Sequence, residues 1–545
     1  MADSTNPQVA DRLEAFAFLL ELSDANPYTV RAYRRAAETI RAAPVSVAEL
    51  VRANRVRELR GIGPGIEARL RELIETGEIA ELTELERELA PDLMGLGRYL
   101  GLSARRSVAL AQLLGVRTAD EFREAAAAGR LGAVPGIGPK TEARLLEALA
   151  REGEPRPQRG LLLHRAAELV GGIAAAVGGA AAGDVRRWRD SCERLAVVCA
   201  THDPRASIAT FAALPQIVAV VQRSDRHAVG VTIEGVPVEL VAVDPVRFGS
   251  ALIRATGAST YVAALEPLPD APNEQAVYRS LGVPWCPPEL RERPFRGQPP
   301  ALLEPEQIRG DLHCHTTWSD GRTTVEEMGR AAAARGYEYL AICDHTPAVG
   351  AVRGLTPDDV RRQGEEIAVA NNALAPFRIL RGIECDILRD GRLDLPDDVL
   401  AELDWVQVSV HGGQRMPRRE MTKRVEEALL HPNVCCLSHP TGRYINRRPE
   451  NALDLDRVFD LARQQNVALE VNGLPNRLDL SGEHVRDALE AGVLIVCSTD
   501  AHSVRGLANM TLSVATARRG WATADHVVNT RPLTDVRVGR GLAPP

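Results

Sequence analysis

Hydrophobic and polar positions follow four different patterns along the chain. Residues 1 to about 152 place Ala and Leu at helical spacing among Arg and Glu, interrupted by Gly-x-Gly turns. From about 153 to 262, apolar runs such as RLAVVCAT alternate with helical pieces. The stretch of about 263–306 is rich in proline, which disfavours long helices and central strands. From about 307 to 535, short apolar strands alternate with amphipathic helices, so the chain is predicted to contain several domains.

The last region contains seven predicted strands, most of them followed by a helical pattern. They span roughly residues 309–313, 338–343, 378–384, 404–410, 434–438, 467–472 and 493–499. Alternating strands and helices favour a parallel sheet or a barrel. In a barrel of this kind, functional side chains gather at the carboxyl ends of the strands.

Metal-binding side chains occur at those strand ends. Six of the twelve histidines are found there: His313, His315, His345, His411, His439 and His502. Five carboxylates accompany them: Asp311, Asp320, Asp344, Glu384 and Asp500. His313 and His315 are two residues apart, so a strand directs both imidazoles to the same side. Any one histidine has a structural alternative as a hydrogen-bonded core residue, but the whole set favours a metal centre, and imidazole with carboxylate suits Zn, Mn or Fe.

The segments GDLHCHTTWSDG, LAICDHTP, RGIECD, VQVSVHGG, LSHPTGR and CSTDAHS resemble the PHP domain over about residues 307–535. The resemblance implies a distorted seven-stranded βα barrel with three metal ions. It implies nine ligands: His313, His315, Asp320, His345, Glu384, His411, His439, Asp500 and His502. Such a set is too large for one ion and fits two or three divalent ions, Mn²⁺ or Zn²⁺ with Fe as a further option. The expected catalytic residues are His345, Asp500, Glu384 as the metal bridge, and Arg443, which would orient a phosphate unless it is a surface arginine.

Two segments of the first half, LRGIGPGIEARLRELIETG and VPGIGPKTEARLLEAL, resemble the helix-hairpin-helix motif. Glycines permit a tight turn that presents backbone N–H groups and a helix N-terminus to a phosphate. Such contacts hold DNA without reading its sequence. A plain turn between two helices is the alternative for a single copy, whereas two copies favour DNA binding. The predicted DNA-binding residues are Gly61, Gly63, Gly65, Gly136, Gly138 and Lys140.

The order of these parts resembles the bacterial family X DNA polymerases (PolX). NPYTVRAYRRAAETIRAAP, FGSALIRATGAS and EQAVYRSLGVPWCPPELRE carry the resemblance outside the PHP region. It implies a multidomain chain of α+β and α/β class. The expected domains are an N-terminal helix-hairpin-helix domain (1–85), a fingers-like helix-hairpin-helix domain (86–152), a polymerase palm (153–262), a shortened thumb with linker (263–306) and the PHP domain (307–545).

The polymerase half departs from the family pattern at its metal-binding positions. Nucleotidyl transfer requires two metal ions held by carboxylates. The Asp-x-Asp positions of the family read Arg194 and Ala196 here, and the third carboxylate reads Glu239. The chain also contains only two lysines, Lys140 and Lys423, so a Schiff-base step in the first domain lacks its amine. These departures predict that the palm is degenerate.

Composition narrows the possible settings of the protein. The 545 residues carry 66 basic and 73 acidic groups, a net charge of −7, so no molecule-wide positive field attracts nucleic acid. No stretch is apolar enough to predict a membrane span, and the first residues do not resemble a signal peptide. Nine cysteines without a CxxC pair do not form a disulfide framework, so we predict a cytoplasmic protein.

The sequence therefore predicts a DNA repair protein whose PHP domain hydrolyses phosphodiester bonds as a metal-dependent 3′→5′ exonuclease, with its polymerase activity lost. One alternative is a small-molecule phosphatase of the histidinol-phosphatase kind, which would use the same ligands. That alternative does not explain about 300 residues of helix-hairpin-helix and palm-like sequence before the barrel. Another is a non-catalytic DNA-binding scaffold, which the complete ligand set disfavours.

Overall fold

The computed structural model of the protein describes residues 6–22, 26–41, 43, 45–59, 61–89, 113–116, 119–131, 134, 160–232 and 234–536. The chain forms two compact units, each assembled from separate segments. Unit 1 comprises Met1–Gly160, Leu169–Ala181 and Glu193–Pro245. Unit 2 comprises Leu161–Glu168, Ala182–Cys192 and Val246–Pro545.

Short amphipathic helices form the first part of unit 1. Those described are α1 (Asn6–Leu22), α2 (Pro27–Arg41), α3 (Val47–Arg52), α4 (Pro64–Thr76), α5 (Ala80–Leu89) and α6 (Ala119–Ala127), with a 3₁₀ turn at Val56–Glu58. The apolar faces of α1 to α5 meet in one core, where Phe16 and Tyr33 pack edge to face at 4.9 Å. Helix α4 begins with proline at its first position, which suits a residue without an N–H group, and ends at Gly77 with φ of +86°.

A five-stranded sheet follows the helical part. The elements in chain order are β1 (Leu161–Leu162), α7 (Leu163–Val177), β2 (Gly179–Gly183), β3 (Ser191–Cys192), β4 (Leu195–Ala200), α8 (Pro204–Ala212), β5 (Ile217–Arg223), β6 (His227–Thr232) and β7 (Pro237–Val243). Strand order in the sheet is β2-β4-β7-β6-β5, with β4 and β7 parallel and the pairs formed by β6 antiparallel. Strands β1 and β3 pair separately within unit 2.

Unit 2 continues with three helices and then a seven-stranded parallel sheet. The helices are α9 (Phe248–Thr256), α10 (Ser259–Leu265) and α11 (Glu274–Leu281). The strands are β8 (Gly310–Cys314), β9 (Tyr339–Ile342), β10 (Arg378–Asp386), β11 (Trp405–Ser409), β12 (Cys436–Leu437), β13 (Ala468–Asn472) and β14 (Ile495–Ser498). They pair in chain order, and a parallel bridge between Cys314 and Ala501 brings the two ends of the sheet together. All seven predicted strands are confirmed, and the sheet is a nearly closed barrel.

Helices cover the outside of the barrel and bury its hydrophobic core. They are α12 (Val325–Ala334), α13 (Pro357–Leu374), α14 (Asp397–Ala401), α15 (Arg418–Leu429), α16 (Leu455–Gln465), α17 (Gly482–Glu490) and α18 (Met510–Arg519). Capping boxes at Thr324 and Thr356 satisfy the first N–H groups of α12 and α13. Across the described residues, no helix combines the length and apolar character needed to cross a membrane.

Candidate metal centre

The barrel strands deliver the predicted ligands to one end of the sheet. His313 lies on β8, and Glu384 lies on β10. The remaining predicted ligands follow β8, β9, β11, β12 and β14 within a few residues of the strand ends. Because carboxyl ends of parallel strands meet at one edge, side chains from six separate segments approach one another. His345, directly after β9, forms a parallel bridge with Glu384.

Eight of the nine predicted ligands fall into three groups whose ligand atoms all lie within 4.8 Å of one another in each group. The groups are His315, Asp320, His345 and His502; His313, His315 and Asp500; and His345, Glu384 and His411. His315 and His345 each belong to two groups, so the groups are contiguous. The ninth residue, His439, places Nε2 2.8 Å from Glu384 Oε1. The structure thus brings all nine residues together.

Glu384 lies at the centre of this cluster. Its Oε2 is 2.9 Å from His345 Nδ1 and 3.5 Å from His313 Nε2. Its Oε1 is 3.4 Å from His411 Nε2, in addition to the His439 contact. Both oxygens of one buried carboxylate therefore face imidazoles from several strands, an arrangement suited to a bridging ligand.

The electrostatics of the cluster keep its carboxylates ionised. Burial alone would raise the pKa of Glu384, but the charges of His411, His345 and His313 lower it well below its usual value. Asp500 shows the same balance, with His313 and His315 lowering its pKa. Burial, together with the charges of the neighbouring His502 and His345, lowers the pKa of His315 to about 3. Ionised carboxylates and a neutral imidazole are the protonation states that bind metal ions.

The donor set fits divalent metal ions. The Nδ1 atoms of His315, His345 and His439 are buried and form no hydrogen bond, although buried polar atoms are normally paired. The Nε2 atoms of His313 and His315 lie only 3.1 Å apart. Ring nitrogens without hydrogen-bond partners that converge with ionised carboxylates are satisfied when a cation lies among them.

Glu470 is a functional residue that sequence reasoning missed. This fully buried carboxylate on β13 places Oε1 2.6 Å from His313 Nδ1, and its Oε2 accepts a hydrogen bond from the backbone N–H of His439 at 2.6 Å. Asp386 acts similarly on His411, with 3.3 Å between Oδ2 and Nδ1. Carboxylates of this kind fix the orientation of metal-binding imidazoles. The available signal was a glutamate inside the apolar run VALEVNG.

Asp311 and Asp344 lie near the ligands in sequence. Their carboxylates accept hydrogen bonds from backbone N–H groups at the ends of barrel strands. Asp311 accepts hydrogen bonds from the backbone N–H groups of His313 and Thr499, both at 3.2 Å. Asp344 accepts one from the backbone N–H of Thr316 at 2.8 Å. Burial raises the pKa of both carboxyl groups, to about 6 for Asp311. Neither residue belongs to the three ligand groups.

Arg443 lies on the loop after β12, and the structure shows its guanidinium in internal contacts. Its Nη2 is 2.7 Å from Asp190 Oδ2, and its Nε donates to the carbonyl oxygen of Arg477 at 3.0 Å. Nη2 also donates to the carbonyl of Leu478. The predicted role of Arg443 in orienting a phosphate therefore stays a prediction.

The first helix-hairpin-helix segment presents a helix N-terminus at the surface. Gly61 adopts φ of +89°, and Gly63 is the N-cap of α4. A Cβ added at Gly61, Gly63 or Gly65 would meet no atom within 4 Å, so a ligand has room to approach. The first N–H groups of a helix have no partner within the helix. The other predicted DNA-binding residues, Gly136, Gly138 and Lys140, lie outside the described residues.

The five-stranded sheet contains the residues predicted to stand at the polymerase carboxylate positions. Ala196 on β4 pairs in register with Glu239 on β7. Glu239 Oε1 is 2.8 Å from His227 Nε2. Burial would raise the pKa of Glu239, but His227 and Arg194 lower it. Glu239 therefore has a histidine partner inside the sheet, and the loss of the polymerase acids at Arg194 and Ala196 stays a prediction.

The barrel and its histidine-carboxylate cluster define a metal-dependent phosphoesterase domain of PHP type. Residues 311–473 match the family model described as PHP domain. Residues 4–79 match a helix-hairpin-helix domain, and residues 101–151 match a SAM-like helix-hairpin-helix tandem.

Known proteins similar to this chain fall into two groups. A DNA polymerase/3′-5′ exonuclease PolX of Bacillus subtilis is 34% identical over 96% of this chain and 97% of its own length. The chain therefore belongs to the bacterial PolX family. Probable phosphatases match a shorter part of the chain: that of Acetivibrio thermocellus is 31% identical over 35% of this chain and 78% of its own length. That of Aliivibrio fischeri is 28% identical over 40% and 88%.

Proposed function

We propose that this protein is a metal-dependent 3′→5′ exonuclease that acts on DNA in repair, with its active site in the barrel. The carrying observation is the convergence of nine metal-binding side chains on one end of the barrel. The PolX relative of B. subtilis bears both polymerase and 3′-5′ exonuclease in its name, and this chain aligns with almost all of it. The exonuclease is the activity that the side chains of this chain support.

Two or three divalent ions, Mn²⁺ or Zn²⁺ with Fe as a further option, would be held by the nine residues. His315, Asp320, His345 and His502 would form one site, His313, His315 and Asp500 a second, and His345, Glu384 and His411 a third, with His439 beside Glu384. Such ions supply Lewis-acid activation of water and stabilise charge on phosphate oxygens. The catalytic assignments are His345, Glu384 and Asp500, with Arg443 as the phosphate-orienting candidate.

The protein's own residues organise this chemistry before substrate arrives. Glu470 contacts Nδ1 of His313, and Asp386 contacts Nδ1 of His411. The Nε2 atom of each histidine therefore points into the cluster. Asn472 donates from Nδ2 to Asp500 Oδ2 at 3.0 Å, which fixes that carboxylate. Six of the nine ligands are buried, and fixed charges act more strongly in such a setting than in solvent.

DNA would be held by backbone contacts in the first half of the chain. Gly61, Gly63 and Gly65 open the N-terminus of α4 to a phosphate, and the matching helix-hairpin-helix models support the same role for Gly136, Gly138 and Lys140. Such binding is independent of base sequence. We propose DNA as the partner of this region, and we retain the five-domain division given above.

A second candidate function is hydrolysis of small phosphate esters, which the similarity of the barrel to the probable phosphatases favours. Both functions would use the same residues. Comparing a 3′-labelled oligonucleotide with p-nitrophenyl phosphate separates them, because the exonuclease releases mononucleotides from the oligonucleotide while the phosphatase prefers the monoester. Assays across Mn²⁺, Zn²⁺ and Fe²⁺ identify the metal.

We expect His345→Ala and Asp500→Ala to abolish exonuclease activity while the far-ultraviolet circular dichroism stays that of the wild type. Each substitution removes a ligand, and neither side chain belongs to the apolar core. Wild-type turnover in either variant would contradict the assignment.

Primer extension with Mg²⁺ or Mn²⁺ tests the polymerase half of the chain. We expect no template-directed nucleotide addition, and such addition would show that the palm is active.

A further inference from the structure

Two loops at the carboxyl end of the barrel are fastened to each other. One follows β12 from His439 to Arg448, and the other follows β13 from Gly473 to Ser481. Ile445 N–H donates to the carbonyl oxygen of Asn476 at 2.9 Å. The Arg443 side chain adds its contact with the Arg477 carbonyl oxygen, described above. The first loop begins at His439, a predicted metal ligand. The second begins directly after Asn472, which donates a hydrogen bond to the ligand Asp500. Both loops therefore begin at the proposed active site.

Tyr444 on the first loop contacts two arginine side chains. The guanidinium carbon of Arg448 lies 4.3 Å from the centre of the tyrosine ring, and that of Arg477 lies 4.5 Å from it. These are favourable cation–π distances. Arg448 also donates from Nε to the carbonyl oxygen of Gly442 at 3.0 Å. Two positive charges are thereby gathered on one aromatic ring.

Arg477 is buried without a counter-charge. It is only 7% exposed, and its Nε has no hydrogen-bond partner. No carboxylate in the described part of the chain forms an ion pair with it, whereas the fully buried Arg291 is paired with Glu274. A charge buried without a partner is costly. The guanidinium of Arg477 can thus form an ion pair with an anionic ligand.

Neighbouring groups compensate the positive charge of Arg448 only in part. Burial and the charge of Arg477 lower the pKa of Arg448, and Tyr444 and Asp479 oppose that shift. Asp479 Oδ1 accepts a hydrogen bond from the backbone N–H of Thr441 at 3.2 Å, and its Oδ2 has no hydrogen-bond partner. Among the described residues, this carboxylate forms an ion pair with neither Arg448 nor Arg477. Guanidinium groups match the oxygen geometry of phosphate. An anion with phosphate chemistry is therefore the ligand that this cluster suits.

We propose that Arg477, Arg448 and Tyr444 form a second phosphate subsite, which binds a phosphate of the nucleic-acid strand beside the one that is hydrolysed. The inference rests on the proposed exonuclease function and deepens it. A phosphate monoester has one phosphate, which the metal cluster takes, so a separate anion site selects a substrate with several phosphates in sequence. The subsite would thus make the barrel bind a polynucleotide more tightly than a small phosphate ester.

The test compares two substrates in the full-length protein with Mn²⁺: a single-stranded pentanucleotide and bis(p-nitrophenyl) phosphate, which has one phosphorus. We expect Arg477→Gln and Arg448→Gln to raise KM for the pentanucleotide about ten-fold with little change in kcat. Hydrolysis of the small diester should be unchanged. The slope of log KM against log salt should fall by about 0.7 in each variant, because one phosphate contact is lost.

Arg447→Gln is the matched control, since Arg447 is an exposed arginine on the same loop and the substitution removes the same charge. Unchanged KM in both test variants, or an equal rise in the control, would overturn the subsite. Thermal melting verifies that each variant folds, and Arg448, which is less buried than Arg477, provides a milder substitution.

Fluorescence anisotropy of a labelled pentanucleotide in EDTA measures binding directly. A weaker affinity in the test variants supports the subsite even if the wild type hydrolyses no oligonucleotide, and equal affinity contradicts it.

Discussion

Individual histidines in the barrel depend on buried carboxylates that hold their far ring nitrogens. Glu470 is the clearest case, because it contacts His313 and the backbone of His439 together and also accepts from Ser438 Oγ at 2.9 Å. Burial would raise the pKa of Glu470, but His313 and His439 lower it. One ionised residue outside the ligand groups therefore orients ligands from two different strands.

We expect Glu470→Gln to weaken metal affinity and exonuclease activity by about 10- to 100-fold, because the substitution removes the charged acceptor of His313 Nδ1. Metal titration by calorimetry measures the affinity, and steady-state assays at saturating metal measure what activity remains. Glu365→Gln, which changes an exposed carboxylate on α13, is the control. Wild-type metal affinity in Glu470→Gln would show that Glu470 does not position the ligands.

The ligands themselves were predictable because each follows an apolar strand, and parallel strands end at a common edge. Glu470 was not, since a glutamate in a two-sided buried strand has no spacing that marks its contacts. The Asp190 partner of Arg443 was also beyond sequence reasoning, because the two residues are far apart in the chain and only the folded unit brings them together. Pairing across long separations leaves no periodic signal.

The hydrophobic pattern predicted the positions of the barrel strands closely, but it did not predict where each strand ends. Strand β12 contains only Cys436 and Leu437, shorter than the predicted 434–438, and β10 extends to Asp386 beyond the predicted end at 384. Apolar runs locate strands, but ladder hydrogen bonds set their ends. The short segment Ala182–Cys192 belongs to unit 2, an assignment that the sequence pattern did not anticipate.

Glu274, the first residue of α11, fastens that segment. Its Oε1 is 2.6 Å from Arg186 Nη1 and 2.5 Å from Arg291 Nη1. Burial would raise the pKa of Glu274, but hydrogen bonds from the two arginines outweigh it and lower the pKa to about 2, against a usual value of 4.5. A carboxyl group with a lowered folded pKa stabilises the fold above its usual pKa.

We therefore expect the stability advantage of the wild type over Glu274→Gln to be full near neutral pH and to shrink as the pH falls from about 4.5 towards 2. The pKa difference corresponds to roughly 3 kcal/mol of unfolding free energy. Urea unfolding of both proteins between pH 7 and pH 3 measures the effect. An advantage that does not depend on pH in this range would rule out the ion pairs as its source.

The complete chain combines nine converging metal-binding side chains with a sheet that is predicted to have lost the polymerase acids. Glu239 is paired with His227, and no other carboxylate replaces the Asp-x-Asp positions at Arg194 and Ala196. The chain nevertheless aligns with almost the full length of a polymerase/exonuclease relative. Family membership therefore identifies the domains, and the side chains decide which of them is active.

Removal of metal should destabilise unit 2 specifically. Ligand binding to the folded state adds about 2.7 kcal/mol at a hundred-fold excess over Kd, which corresponds to a melting shift of about 5 °C or more. We expect calorimetry to show this decrease after chelation and its recovery with Mn²⁺ or Zn²⁺. Asp500→Ala should melt at a temperature less sensitive to chelator. Identical melting of the wild type with and without metal would argue against an assembled metal centre.

The barrel unit is discontinuous, and this has a practical consequence. Asp190 reaches Arg443 from a segment that precedes the barrel strands by more than a hundred residues, and Arg187 of the same segment pairs with Glu292. A protein trimmed to begin at the first barrel strand would lack the whole Arg187–Glu292 pair, would leave Arg443 without its Asp190 partner, and would loosen the loop that begins at His439. Excision of the barrel by a single cut would therefore remove a contact that stabilises one of its own loops.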